Sequence, residues 1–273
     1  MTRRRFMKST LATTSLAVAA SKTRSARAAD TKARPAPAYF ELRTYRLRIG
    51  DQPKLAQDFM GEVLVPTLNR LGVSPVGVFT GLFAPDLPSL TVLTQYPSLA
   101  SFDSTRKRLA TEMGKSKSAV AKAFLTPPGV SPAYVRCDTQ LLLAFANLPA
   151  LVPPPEAKEK KPRIFELRTY ETPTDHALAR KAEMFGDEMG ELAIFKRCGL
   201  RPVFFATTVV GPRQPSLIYM LAFPDLAARM AAWDRFRADP AWAKLKVTPG
   251  YTDADIMANI SDAILSPAAA SQI

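Results

Sequence analysis

The sequence predicts an α+β fold made twice over: two tandem βαββαβ units whose four-stranded sheets pack against each other as one barrel. Three observations carry that expectation. Phe40-Glu41-Leu42-Arg43-Thr44-Tyr45 recurs as Phe165-Glu166-Leu167-Arg168-Thr169-Tyr170, shifted by 125 residues. Further on, Leu71-Gly72-Val73-Ser74-Pro75-Val76 matches Cys198-Gly199-Leu200-Arg201-Pro202-Val203, and Pro88-Ser89-Leu90 matches Pro215-Ser216-Leu217, both at a shift of 127. In each copy the local patterns run strand, helix, strand, strand, helix, strand, the split βαβ or ferredoxin-like order. A period this long marks duplicated domains and not a solenoid.

The first 28 residues read as an address. Arg3, Arg4 and Arg5 precede Phe6, Met7 and Lys8, and a weakly apolar stretch runs from Thr10 to Ala20. Arg3, Arg4 and Phe6 resemble the twin-arginine export motif, and Ala26 and Ala28 supply the small residues that a signal peptidase reads, so cleavage is expected after Ala28. The expected partners on that route are the twin-arginine translocase and the signal peptidase, and the expected destination is the periplasm. Residues 29–37 form a short polar lead-in, expected to be disordered.

The first unit is expected over 38–148. Its repeated hexapeptide alternates and predicts a strand. A helical stretch follows at about 53–71, ended by Gly72, where a left-handed cap favours glycine. Two strands, about 75–83 and 89–96, flank the turn Ala84-Pro85-Asp86-Leu87-Pro88. A second helical region covers 98–125 and a last strand 133–146. Residues 149–163 are rich in proline and charge, and predict an exposed, fairly stiff linker.

The second unit, 164–266, repeats the plan. Its helical stretch, about 174–198, carries Leu178, Ala182, Phe185, Met189, Leu192 and Phe195 at spacings of three and four, a buried stripe. Gly199 follows as the cap. Strands are expected at 202–210 and 216–223, helix at 225–246 and a last strand at 254–265, with 267–273 as a tail. The change of shift from 125 to 127 puts two extra residues in the first helical region of this copy.

Composition narrows the function classes. The formal net charge is +13, but seven of the basic residues lie in the first 28 with no acid among them, which leaves +6. The remaining charges are mixed in sign, with no basic stripe interleaved with aromatics, so nucleic acid is not an expected partner. No apolar run reaches the ~18 residues of a membrane-spanning helix. Two cysteines, Cys137 and Cys198, fall at non-equivalent positions; they predict separate buried thiols, with one bridge between the repeats as the alternative.

The opening hexapeptides, the Pro-Ser-Leu turns and the segment from Trp233 to Trp242, with Asp239-Pro240-Ala241-Trp242, together resemble the NIPSNAP family. The resemblance covers nearly all of both repeats and implies the dimeric α+β barrel, here within one chain. It is clearest in the second copy; in the first, Arg106 and Lys115 stand where Trp233 and Trp242 occur. The wider barrel superfamily holds cofactor-independent monooxygenases, lactone isomerases, haem enzymes and small-molecule binders, and fold alone does not choose among them.

Candidate chemistry comes from the hexapeptides. The strand period of two sets Phe40, Leu42 and Thr44 on one face and Glu41, Arg43 and Tyr45 on the other. With the apolar set expected under the helices, Glu41, Arg43, Tyr45, Glu166, Arg168 and Tyr170 are expected to face the barrel interior. There they would bind a small polar or anionic ligand or support cofactor-independent chemistry. The alternative is a structural pairing of Glu with Arg across the sheets, in a non-enzymatic interaction scaffold. No phosphate loop, nucleophilic serine motif or zinc spacing occurs. No cofactor or metal is expected; the single histidine, His176, predicts an exposed residue at a helix start, with haem ligation the remote alternative. Trp233 and Trp242 predict packing of the second helix and its following turn, with a place at a pocket mouth as the alternative.

Overall fold

The computed structural model describes residues 35–186 and 190–273. The expected export determinants Arg3, Arg4, Phe6, Ala26 and Ala28 lie outside the described residues.

The first half runs β1 (Tyr39–Arg46), α1 (Gln52–Phe59), a π-helical turn (Met60–Leu64), α2 (Val65–Arg70), β2 (Gly77–Phe83), β3 (Ser89–Tyr96), α3 (Leu99–Lys115), α4 (Ala119–Leu125) and β4 (Arg136–Ala144). After α5 (Pro155–Glu159), the second half runs β5 (Ile164–Glu171), α6 (Asp175–Gly186), α7 (Glu191–Cys198), β6 (Arg201–Val210), β7 (Ser216–Phe223), α8 (Leu226–Ala238), α9 (Pro240–Leu245), α10 (Asp253–Ile256) and β8 (Asn259–Pro267). The elements follow the predicted order. The last strand starts later than expected, because Asp253–Ile256 makes a helical turn first.

Local chemistry sets the element ends. Gly72 and Gly199 both hold φ of +85°, as left-handed caps require. Ser98 and Asp225 stand at equivalent positions and cap α3 and α8, accepting from the Ser101 and Ala228 amides at 3.1 and 2.7 Å. Asp239 caps α9, accepting from the Ala241 amide at 2.8 Å, with Pro240 at the first helical position. The Asp-Pro-x-Trp run is thus a helix start that lays Trp242 against Phe236, ring centroids 4.5 Å apart.

All strand pairings are antiparallel, in the closed order β1-β3-β2-β8-β5-β7-β6-β4. The halves join at two seams, β2 with β8 and β4 with β6, so each half covers the other's sheet edges. The centre of the barrel is apolar and drawn from both halves, while Thr44, Thr91, Gln140 and Thr169 line a polar cavity at one end. Phe40 meets Phe204 at 5.2 Å and Phe79 meets Phe165 at 4.8 Å, with Leu42, Leu142, Met220 and Leu265 around them. Among the described residues three further clusters lie outside the barrel: one beneath the helices of the first half, one beneath those of the second, and a small one around Ala177, Met184 and Ile256.

The segment between the halves is more than a spacer. The Leu151 amide donates to Gln95 Oε1 at 2.7 Å and the Val152 amide to the Val203 carbonyl at 2.9 Å, while Glu156 pairs with Arg201 at 2.7 Å. The 267–273 segment also packs: the Ala268 and Gln272 amides donate to the Val78 and Val76 carbonyls at 2.8 and 2.9 Å. It extends the β2–β8 seam and places Ile273 fully inside the barrel core. Cys137 is a half-buried free thiol and Cys198 a buried one.

Candidate functional site

The alternation of the repeated hexapeptide is as predicted, but its two faces are exchanged. Phe40 and Leu42, with Phe165, belong to the barrel interior. Tyr45 and Tyr170 belong to the two separate cores under the helices, and Glu41 and Glu166 bond to helix residues. Glu41, Arg43, Tyr45, Glu166, Arg168 and Tyr170 therefore do not meet inside the barrel. They form two clusters on its outer face, one per half. The physical reason is that the helices on the outer face carry Arg106, Arg229 and Trp233, which pair with the two glutamates, whereas the interior around Phe40 and Leu42 is apolar. The expected Glu–Arg pairing occurs within each strand and not across the sheets: Arg43 Nε lies 3.8 Å from Glu41 Oε1, and Arg168 Nη1 3.0 Å from Glu166 Oε1.

In the first half Glu41, 4% exposed, accepts from Arg106 Nη1 at 2.6 Å and from the Tyr96 hydroxyl at 3.2 Å. Beside it, Tyr45 packs edge-on against Phe124 and Tyr134 at 5.8 and 5.2 Å. Rings occupy the space under these helices.

In the second half Glu166 is fully buried and accepts from Trp233 Nε1 at 2.7 Å, Arg229 Nη2 at 2.5 Å and Arg168 Nη1 at 3.0 Å. Arg168 lies between two rings, 4.8 Å from the Trp233 centroid and 5.4 Å from that of Tyr170. Here the space is open. A cavity of about 310 Å³ is bounded by Arg168 and Tyr170 of β5, Lys181 of α6, Glu191 of α7, and Arg229 and Trp233 of α8, with Trp242 also on its wall. Lys181 and Glu191 are each 2% exposed and form an ion pair at 2.7 Å. The Tyr219 hydroxyl donates to that of Tyr170 at 2.9 Å behind them.

The electrostatics follow from burial. Desolvation pushes Glu191 above the ordinary carboxylate range, against the pull of Lys181. It pushes the Tyr170 and Tyr219 phenols up as well, so both stay protonated. Burial works to lower Arg168, but Tyr219, Tyr170 and Glu166 outweigh it and hold the guanidinium above its usual value. Lys181, Glu166 and Glu191 are buried and Arg168 and Arg229 half-buried; Arg237, Asp234 and Asp253 also stand on the wall, so the positive and negative charges around the cavity balance. Among the described residues, Nε of Arg168 and Arg229 is buried without a hydrogen-bond partner, as is Nε of Arg43 in the first half; Nη2 of Arg168 and Nη1 of Arg229 also make no hydrogen bond.

Of the six predicted residues, Arg168 and Tyr170 line this cavity and Glu166 anchors it from behind; the other three belong to the first half, where Phe124 and Tyr134 fill the space beside Tyr45. Both tryptophan expectations hold, since Trp233 and Trp242 pack the helices and also wall the cavity. His176 is exposed on the first turn of α6 and does not line the cavity. Lys181, Glu191 and Arg229 escaped sequence reasoning. The available signal was the duplication itself. At the shifts of 125 and 127, Lys181 and Glu191 replace Ala56 and Leu64, two buried apolar residues.

The family model described as NIPSNAP matches residues 40–125 and 165–272. A crystal structure of a "putative monooxygenase" from Lactobacillus acidophilus NCFM superposes with a TM-score of 0.56 at 8% identity, covering 86% of this chain and 97% of that one. Another "putative monooxygenase", from Fusobacterium nucleatum, superposes with a TM-score of 0.50 at 10% identity, covering 85% and 93%. An uncharacterized NIPSNAP domain protein from Burkholderia xenovorans is 25% identical, with a TM-score of 0.33, covering 39% of this chain and 95% of its own. No curated protein matches the chain.

Proposed function

This chain belongs to the NIPSNAP family, and on that footing we propose that its second half binds a small, planar, anionic molecule in the cavity between β5 and helices α6 to α8. The observation that carries this reading is the pair of guanidinium groups, Arg168 and Arg229, both held by Glu166 and both on the wall of the open cavity. A planar fork of donors suits a carboxylate or enolate oxygen. The walls from Trp233 and Trp242 favour a flat apolar body. The class of activity proposed is cofactor-independent chemistry of a monooxygenase or isomerase kind. The likeness to proteins named monooxygenases carries the fold, and a fold assigns no reaction. The scaffold reading suits the first half, where Phe124 and Tyr134 occupy the corresponding space. We also propose twin-arginine export, on Arg3, Arg4 and Phe6; changing both arginines to lysine is expected to hold the precursor in the cytoplasm.

The test uses a reporter the chain already holds. Its two tryptophans both stand on the cavity wall. Titration with benzoate and with phenylacetate should change indole emission saturably, and R168A should weaken binding about 10- to 100-fold, the worth of a charge-assisted hydrogen bond. If neither anion gives a saturable change, the cavity is not an anion site.

A further inference from the structure

We infer that Glu191, oriented by Lys181, is the proton acceptor of this cavity, and that its substrates are aromatic 2-keto acids, interconverted between keto and enol forms. The inference rests on the binding reading above and adds a reaction to it.

The duplicated fold supplies an internal control. The first half builds the same helix-on-sheet packing with Ala56 and Leu64 at the two corresponding positions, both buried. The packing therefore needs no charge there. A buried ion pair is a weak source of stability, because desolvating two charges offsets their attraction. A pair present in one half, on the wall of the open cavity, and absent from the filled half is therefore assigned to the cavity.

The geometry fits a held base. Lys181 Nζ donates to Glu191 Oε2 at 2.7 Å, lies 3.6 Å from Met184 Sδ and sits 4.7 Å from the Phe185 ring centroid, so the ammonium is fixed in place. Among the described residues, Glu191 Oε1 takes no hydrogen bond. The charged or titratable groups around the pair are Arg168 and Tyr170 of β5, Tyr219 of β7 and Asp253 of α10. The two phenols stay protonated, Asp253 is exposed, and Glu166 is taken up by Arg168, Arg229 and Trp233, which leaves Glu191 as the buried carboxylate with an oxygen that accepts no hydrogen bond. Burial raises its carboxyl and makes it a stronger base than a solvated one.

The step balances without a co-reactant. Glu191 takes a proton from the carbon next to the keto group, and that C–H bond breaks. Its electron pair forms the carbon–carbon double bond, and the carbonyl pair moves to oxygen. Arg168 and Arg229 face the carboxylate and the new enolate oxygen. Return of the proton to oxygen gives the enol; return to carbon regenerates the keto form.

The experiment follows phenylpyruvate in D₂O by proton NMR, reading exchange of its benzylic hydrogens, with tryptophan emission reporting binding on the same samples. The intact chain should accelerate exchange at least ~10²-fold over the uncatalysed rate, the scale of one general base, with a rate that rises with pH as Glu191 ionises. E191Q should keep binding within a few-fold and lose the acceleration. K181A/E191L, which installs the first half's residues, should fold and also lose it. Saturable binding with background exchange overturns the proton-acceptor role and leaves the binding reading standing. Exchange that survives in either variant also overturns it. No saturable binding of phenylpyruvate, benzoate or phenylacetate removes both.

Discussion

The two halves start from one hexapeptide and reach different ends. Each places a glutamate, Glu41 or Glu166, on the outer face of the barrel, and each buries it under helices. The partners then diverge. Glu41 is held by Arg106 and Tyr96, Glu166 by Trp233 and Arg229. Arg106 and Trp233 occupy equivalent positions on α3 and α8, so one site on the second helix donates to the strand carboxylate in both halves. What the strand demands is a donor, and the donor's identity is free to vary. Beyond the carboxylate the halves differ in substance. The first fills the neighbouring space with Phe124 and Tyr134, and the second leaves it open beside Lys181 and Glu191. One copy keeps to packing; the other carries the chemistry-bearing groups.

Substituting one half's residues into the other tests this contrast. The largest effect is expected from K181A alone. It strands the buried Glu191 carboxylate and should lower stability by about 3–5 kcal/mol in urea denaturation. Adding E191L restores the Ala and Leu pair of the first half and should recover most of the loss. Failure of the double variant to recover would mean that the second half depends on its ion pair for folding.

Next in size is W233F, which removes one donor from the fully buried Glu166. It should lose about 1–3 kcal/mol. R106L, at the equivalent position, should lose about 1 kcal/mol or less, because Arg106 is 40% exposed and Tyr96 still reaches Glu41. Equal losses would contradict the view that the second half holds its carboxylate more tightly. The smallest effect is expected at Asp239, which bonds Arg197 twice, at 2.7 and 2.8 Å, while the first half's Arg70 and Glu112 pair with Thr67 and Lys115 instead. Arg197 holds the Asp239 carboxyl well below its ordinary value. The stability it adds is therefore present above the ordinary carboxylate range and lost as pH falls toward the lowered folded value. D239N should melt below the parent at neutral pH, and the gap should close in acid.

The fold was legible because duplication prints the same pattern twice. The alternation of Phe40 to Tyr45, the glycines at 72 and 199 and the Pro-Ser-Leu turns are local signals, and local geometry decides them. The site was legible only in part. Arg168 and Tyr170 line the candidate cavity, but from the face of the sheet opposite to the one expected. Period-two alternation separates two faces without saying which one a closed barrel encloses, and here both faces are buried. Lys181 read as one more helix charge, since its burial depends on α7 folding back to bring Glu191 within 2.7 Å.

The sequence by itself determined the two copies, their strand and helix order, their caps and the family they belong to, because each rests on residues near one another in the chain. Only the tertiary structure decided that the Phe and Leu face lies inside the barrel, that the tail at 267–273 closes against the first half, and that one half is filled while the other is open. The first two depend on contacts across more than a hundred residues and the third on contacts within each half, such as Tyr45 with Tyr134 and Lys181 with Glu191, where a side chain's partner is set by how the chain folds and not by its immediate neighbours in sequence.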